Sequence, residues 1–125
     1  MIGRKYRKHG YNCANFVNDW YFEKLNIKIP VVNEFGRSFV VWMRRNFTDV
    51  TQPRENDLVL MTCRDGSYHI GVYHDYGVIH NYKTNNSHGA VCWDTLGVIQ
   101  KLYSEVSFHR WSESNTHRTQ LKKRS

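Results

Sequence analysis

Asp57-Leu58-Val59-Leu60-Met61-Thr62-Cys63, Arg64-Asp65-Gly66, Ser67-Tyr68-His69-Ile70-Gly71-Val72-Tyr73-His74, Asp75-Tyr76 and Gly77-Val78-Ile79-His80-Asn81-Tyr82 follow one another without a break, and this stretch decides the fold. A continuous apolar run, an Asp-Gly turn signal, an alternating run and a second short turn predict consecutive antiparallel strands. Alternation along 67–74 puts His69, Gly71 and Tyr73 on one face and Tyr68, Ile70 and Val72 on the other. A histidine beside a glycine is expected to leave open space above the sheet. If Asp75 and Tyr76 form a two-residue loop, His74 pairs with Gly77, Gly71 lies opposite His80, and His69 is the diagonal neighbour of His80. A four-residue loop preserves that arrangement, and a three-residue loop turns His80 to the other face.

Upstream, the period is helical. Cys13, Phe16, Val17, Trp20, Tyr21 and Leu25 recur at helical spacing behind Asn12, a good N-cap, and the helix is expected to end over 26–30. A second helix is expected from about Glu34 to Asn46, with Phe35, Phe39, Val40, Met43 and Phe47 on one side, then a loop over 48–56. Further strands are expected at about Ala90–Trp93 and Leu102–Trp111. Helices first and an antiparallel sheet after them describe an α+β domain over 1–111, followed by a polar, basic tail over 112–125.

With 125 residues the chain can bury a single core, and 14% aromatics with only 2 prolines predict an ordered body. The net charge of +7 favours an anionic partner, and nucleic acid, anionic glycopolymer or an acidic membrane surface all fit it. Basic residues cluster at the ends, at Arg4, Lys5, Arg7 and Lys8 and at Lys122-Lys123-Arg124, rather than among the strand aromatics, so no nucleic acid is expected as partner. No run of about 18 apolar residues occurs, so no membrane insertion is expected. Met1–Tyr6 carries charge with no apolar segment behind it, so delivery without a signal of its own is expected. Three cysteines, with no Cys-x-x-Cys pair, argue against a disulfide scaffold and a paired-cysteine zinc site. His69, His74, His80 and His88 with Cys63 or Cys92 could supply zinc ligands, but His69 and His74, five apart on one strand, face opposite ways. No metal and no cofactor are expected.

The chemistry-bearing residues are a cysteine at a helix start and a histidine on a strand. Helix N-termini and a neighbouring imidazolium lower a thiol's pKa from about 8.5, and Cys13 has the first by position. Amides of the same turn could receive an oxyanion. With an even loop, His80 can hydrogen-bond one ring nitrogen of His69 and fix its tautomer.

These stretches resemble the NlpC/P60 cysteine peptidases, papain-like enzymes that cut stem peptides of bacterial peptidoglycan. The matching segments are Ile2–Tyr6, Asn12-Cys13-Ala14-Asn15-Phe16-Val17, Pro53–Val59, His69-Ile70-Gly71-Val72-Tyr73 and Val78-Ile79-His80, in the family's order. The resemblance implies a papain-like fold, with Cys13 as nucleophile, His69 as general base and acid, and His80 as orienting group. It implies supporting or substrate-binding roles for Tyr6, Asn12 and Gly71. Asn12 stands where the family has Asp, Ala14-Asn15 where it has Ser-Gly, and Asn56 where it has Gly. The implied activity is hydrolysis of peptidoglycan stem peptides through a thioester. Without wall-binding repeats the chain looks more like the bare domains that tailed phages carry than like cellular members, which implies a virion-tail or host-envelope location, with the cytoplasm as the alternative, and bacterial peptidoglycan and other phage tail proteins as candidate partners. The alternatives are a related thiol amidase or acyltransferase, or a structural tail protein with a vestigial site.

Overall fold

A computed structural model describes residues 12–29, 36–83 and 89–112. The elements are α1 (Cys13–Leu25), α2 (Arg37–Asn46), β1 (Phe47–Val50), β2 (Leu58–Thr62), β3 (Tyr68–His74), β4 (Gly77–Lys83), β5 (Gly89–Thr95), α3 (Leu96–Leu102) and β6 (Glu105–Trp111). The strands form one six-stranded sheet in the order β1-β6-β2-β3-β4-β5, and every pairing is antiparallel. The architecture is α+β, as the change of period along the chain implies.

The sheet is covered on both faces, which is why β2 reads as an unbroken apolar run. Leu58 and Leu60 join Ile70, Val72, Ile79 and Val91 in a core with the buried side of α1 and with Phe39, Val40 and Met43 of α2. Val59 and Met61 point the other way, into a smaller core with Val78, Ile99 of α3 and Tyr103. The histidine-bearing face of β3 belongs to this second side.

Asn12 caps α1: its Oδ1 accepts from the backbone N–H groups of Ala14 and Asn15, each at 3.0 Å, and Asn15 Oδ1 accepts from Asn12 N–H at 3.1 Å. This reciprocal pair satisfies donors that the helix start leaves without intrahelical partners. Asn26 ends α1 in the left-handed conformation, with φ 55°. Asn56 is also left-handed, with φ 74°, a backbone state that glycine and asparagine accept most readily. Its carbonyl accepts from the Tyr21 hydroxyl, and its side-chain oxygen accepts from Trp20 Nε1 at 2.9 Å, so α1 is tied to the turn before β2. The neighbouring Asp57, only 3% exposed, receives both Arg110 Nε (3.0 Å) and Arg110 Nη2 (2.8 Å), which joins that turn to β6.

Two segments differ from the sequence reading. Phe47–Val50 is an edge strand paired to β6, with Phe47 opposite Trp111, rather than a helix end and loop. Its Thr48 and Val50 are β-branched and fit a pleated edge. Leu96–Leu102 is a short helix, so β6 begins at Glu105. Thr95 caps it by accepting from Val98 N–H, and Ile99 anchors it in the second core. Val98, Ile99 and Gly97 are weak helix formers, which hid the element. The start expected for α2, at Glu34 and Phe35, lies outside the described residues, and Gly36 is its N-cap.

Gly71 and Gly97 should respond in opposite directions to alanine. A Cβ on Gly71 would come within 2.8 Å of both Ile79 O and His80 Cβ, whereas one on Gly97 meets nothing within 4 Å. Denaturant unfolding should show Gly71→Ala losing about 1–3 kcal/mol, and Gly97→Ala, in helix α3, gaining about 0.5–1 kcal/mol.

Candidate active site

Asp75 and Tyr76 have φ of 51° and 64° and make a two-residue turn between β3 and β4. Positive φ at both positions is the backbone that suits two strands twisting together. The turn pairs His74 with Gly77 and hence Gly71 with His80, so His69 and His80 share a face as diagonal neighbours. Their rings meet: His69 Nε2 lies 2.8 Å from His80 Nδ1, and the other nitrogen, His80 Nε2, lies 2.9 Å from Asp94 Oδ2.

The proton order of this chain follows from what each atom can do. A carboxylate only accepts, so His80 Nε2 carries the hydrogen given to Asp94. Neutral His80 then has a bare Nδ1, which accepts from His69 Nε2–H. Neutral His69 is left with a bare Nδ1, the form in which an imidazole serves as a base. Burial keeps both rings neutral. It lowers His69 from the ordinary 6.5 to about 3, with repulsion from His80 adding to the effect. Burial also lowers His80, while the bond to Asp94 and its charge oppose the shift. Tyr103 stacks nearly parallel on His69, with ring centroids 6.0 Å apart, and Tyr82 meets both imidazoles edge-on.

Cys13 is the first residue of α1, at the point where β3 and β4 part. The β3–β4 ladder stops at Gly71 opposite His80, while β2 stays paired with β3 to Tyr68 and β5 with β4 to Lys83. At this parting Asn81 Nδ2 donates to the Asn12 carbonyl at 3.4 Å, and the Ile70 N–H meets the Cys13 sulfur. Cys13 packs with the α1 face of the sheet, and His69 points to the other face. They are linked along β3, where Ile70, whose amide meets the sulfur, directly follows His69.

Several expectations are corrected by these surroundings. The thiol is 3% exposed, and burial pushes it up to about 12, outweighing the helix-start and Ile70 amides that favour the thiolate. Cys13 and His69 are therefore both neutral and are not hydrogen-bonded to one another. The first-turn amides of Ala14 and Asn15 donate to Asn12 Oδ1, so they are not free to receive an oxyanion. Asn12 itself is 1% exposed, and its side-chain oxygen is spent on the cap. Gly71 does not face open space: the space above it holds His80 Cβ, Val78 Cγ1 and Ile79 O, so the missing side chain lets β4 approach. Tyr6 lies outside the described residues.

Asp94 and Cys92 were not singled out for this site by the sequence. Cys92 lies directly opposite His80 on β5, and Asp94 follows two residues on, facing the same way. Alternation along 90–94 is the available signal, but the length of the β4–β5 connection left the register open. Cys92 Sγ lies 3.6 Å from His80 Nε2 and donates to Asp94 Oδ2 at 3.8 Å. Burial and then the Asp94 charge push this thiol up to about 11, so it too rests as a neutral thiol. His80, Cys92 and Asp94 converge closely enough to hold a cation. Among the described residues no helix is long and apolar enough to cross a membrane. In comparisons with known proteins, no family model matches this sequence and no curated sequence matches it.

Stability should fall on acidification because His69 is buried neutral. Unfolded His69 binds a proton below about pH 6.5, and folded His69 only near pH 3, so the unfolded state takes up more protons throughout that window. Urea midpoints at pH 7 and pH 4.5 should differ more for the wild type than for His69→Gln; equal differences would contradict neutral burial of this ring.

Proposed function

We propose that this protein is a papain-like cysteine hydrolase, resembling the NlpC/P60 peptidases, that cleaves peptide bonds in the stem peptides of bacterial peptidoglycan. The observation that carries the reading is the chain Asp94–His80–His69, with links of 2.9 Å and 2.8 Å, which leaves His69 Nδ1 as a base. In this mechanism Cys13 attacks the scissile carbonyl as His69 Nδ1 takes the thiol proton in the same step, since both groups start neutral. The tetrahedral oxyanion collapses, the leaving amine takes the proton from His69, and a thioester to Cys13 remains. His69 then draws a proton from water, which hydrolyses the thioester and regenerates the thiol. His80 and Asp94 are positioning residues that fix the tautomer of His69. The +7 charge suits docking on anionic wall polymers, and delivery by a phage tail belongs to the same proposal.

A second reading is a non-catalytic domain with a vestigial site. The observation that favours it is the closure of Cys13, 3% exposed and without a bond to His69.

Digestion of purified peptidoglycan, with soluble fragments identified by mass, separates the two. Wild type should release stem-peptide fragments and Cys13→Ala none, while His69→Ala should lose a factor on the order of 10²–10⁴ in rate. Asp94→Asn should move the acidic limb of the pH–rate profile to lower pH, because the carboxylate stabilises a protonated histidine pair. Intact wall with folded wild type would sink the hydrolase and leave the vestigial reading.

A further inference from the structure

His80 Nε2, Cys92 Sγ and Asp94 Oδ2 have a second use that the hydrolytic reading does not absorb. Three atoms bound to one tetrahedral zinc, with metal–ligand lengths of about 2.0–2.3 Å, stand apart by about 3.5 Å (N to S), 3.5 Å (S to O) and 3.3 Å (N to O). Here the separations are 3.6, 3.8 and 2.9 Å, so only the nitrogen and oxygen, now hydrogen-bonded, need to move apart. All three are held on neighbouring strands, with Cys92 opposite His80. His80 is 1% exposed while Asp94 is 35% exposed, so the cluster has a fixed inner ligand and an entry side. Thiolate, carboxylate and neutral imidazole together carry two negative charges, the complement of a divalent cation.

We propose that these three atoms bind a thiophilic divalent cation of the zinc class, and that its binding switches off the hydrolase by reversing the proton order of the histidine pair. The second half rests on the function proposed above. Coordination needs His80 Nε2 bare, so the ring's proton moves to Nδ1. That N–H then donates to His69 Nε2, as an outer partner commonly orients a ligating histidine. His69 must carry its own proton on Nδ1, the nitrogen that would take the Cys13 proton. The pair holds two protons before and after, and one proton, from the Cys92 thiol, is released to solvent. The metal acts as an inhibitor and does not touch Cys13.

The test uses the full reduced chain titrated with Co²⁺ alone, which reports a thiolate ligand by a sulfur-to-metal charge-transfer band. Wild type, Cys13→Ala and Cys63→Ser should each show the band saturating at one cobalt per chain, displaced by Zn²⁺. Cys92→Ser should lose it, and Asp94→Asn, at a partly exposed position with less risk to folding, should bind at least tenfold more weakly. Absence of the band in wild type, or its survival in folded Cys92→Ser, would overturn the site whether or not the wall is cleaved. Histidine ¹⁵N shifts with Zn²⁺ bound should show His69 Nδ1 changing from bare to protonated; an unchanged His69 tautomer would overturn the switch.

Discussion

Two consecutive left-handed residues, Asp75 and Tyr76, fix the turn between β3 and β4, and the histidine geometry depends on that constraint. Side chains alternate along a strand, so a slip of one residue would carry His80 to the face covered by α1. With the register held, Gly71 lies beneath His80 and has no Cβ to push it away. His80 then bridges His69 on one side and Asp94 on the other. A backbone conformation at an exposed turn thus sets which nitrogen of a buried imidazole is bare.

Burial decides the electrostatics of the site. It raises Cys13 and lowers His69, so the resting state holds a thiol and an imidazole rather than the easily ionised thiol that a helix start was expected to give. The field of the first turn and the Ile70 amide act in the expected direction, but the loss of water around the sulfur outweighs them. On the proposed hydrolase reading, a nucleophile in such surroundings has to be activated as it reacts, which places the weight on the tautomer of His69 and hence on His80 and Asp94.

The fold class was legible because its signals are local. The Asn12 cap, the spacing of Phe16, Val17, Trp20 and Tyr21, the apolar run over 58–61 and the Asp65-Gly66 turn each point to one structure without help from distant residues. The α3 helix and the β1 edge strand were not legible, since Thr95–Leu102 carries weak helix formers and Phe47–Val50 gains strand character from its pairing with β6. Within the site, the meeting of His69 and His80 followed from hairpin register on the condition of an even loop, which the two-residue Asp75-Tyr76 turn meets. Asp94 could not, because the polar connection from β4 to β5 is long enough to leave its pairing open. The burial of Cys13 was also beyond the sequence: it depends on how α1 seats against the parting of two strands, a tertiary fact with no local mark.

The measurement that bears most directly on the central claim is covalent trapping with a stem-peptide analogue whose scissile carbonyl is replaced by a nitrile, followed by peptide mapping by mass. The account predicts a thioimidate adduct on Cys13 in the wild type, and none in His69→Ala under the same conditions. An adduct on Cys92 or Cys63, or no adduct from folded wild type, would contradict it.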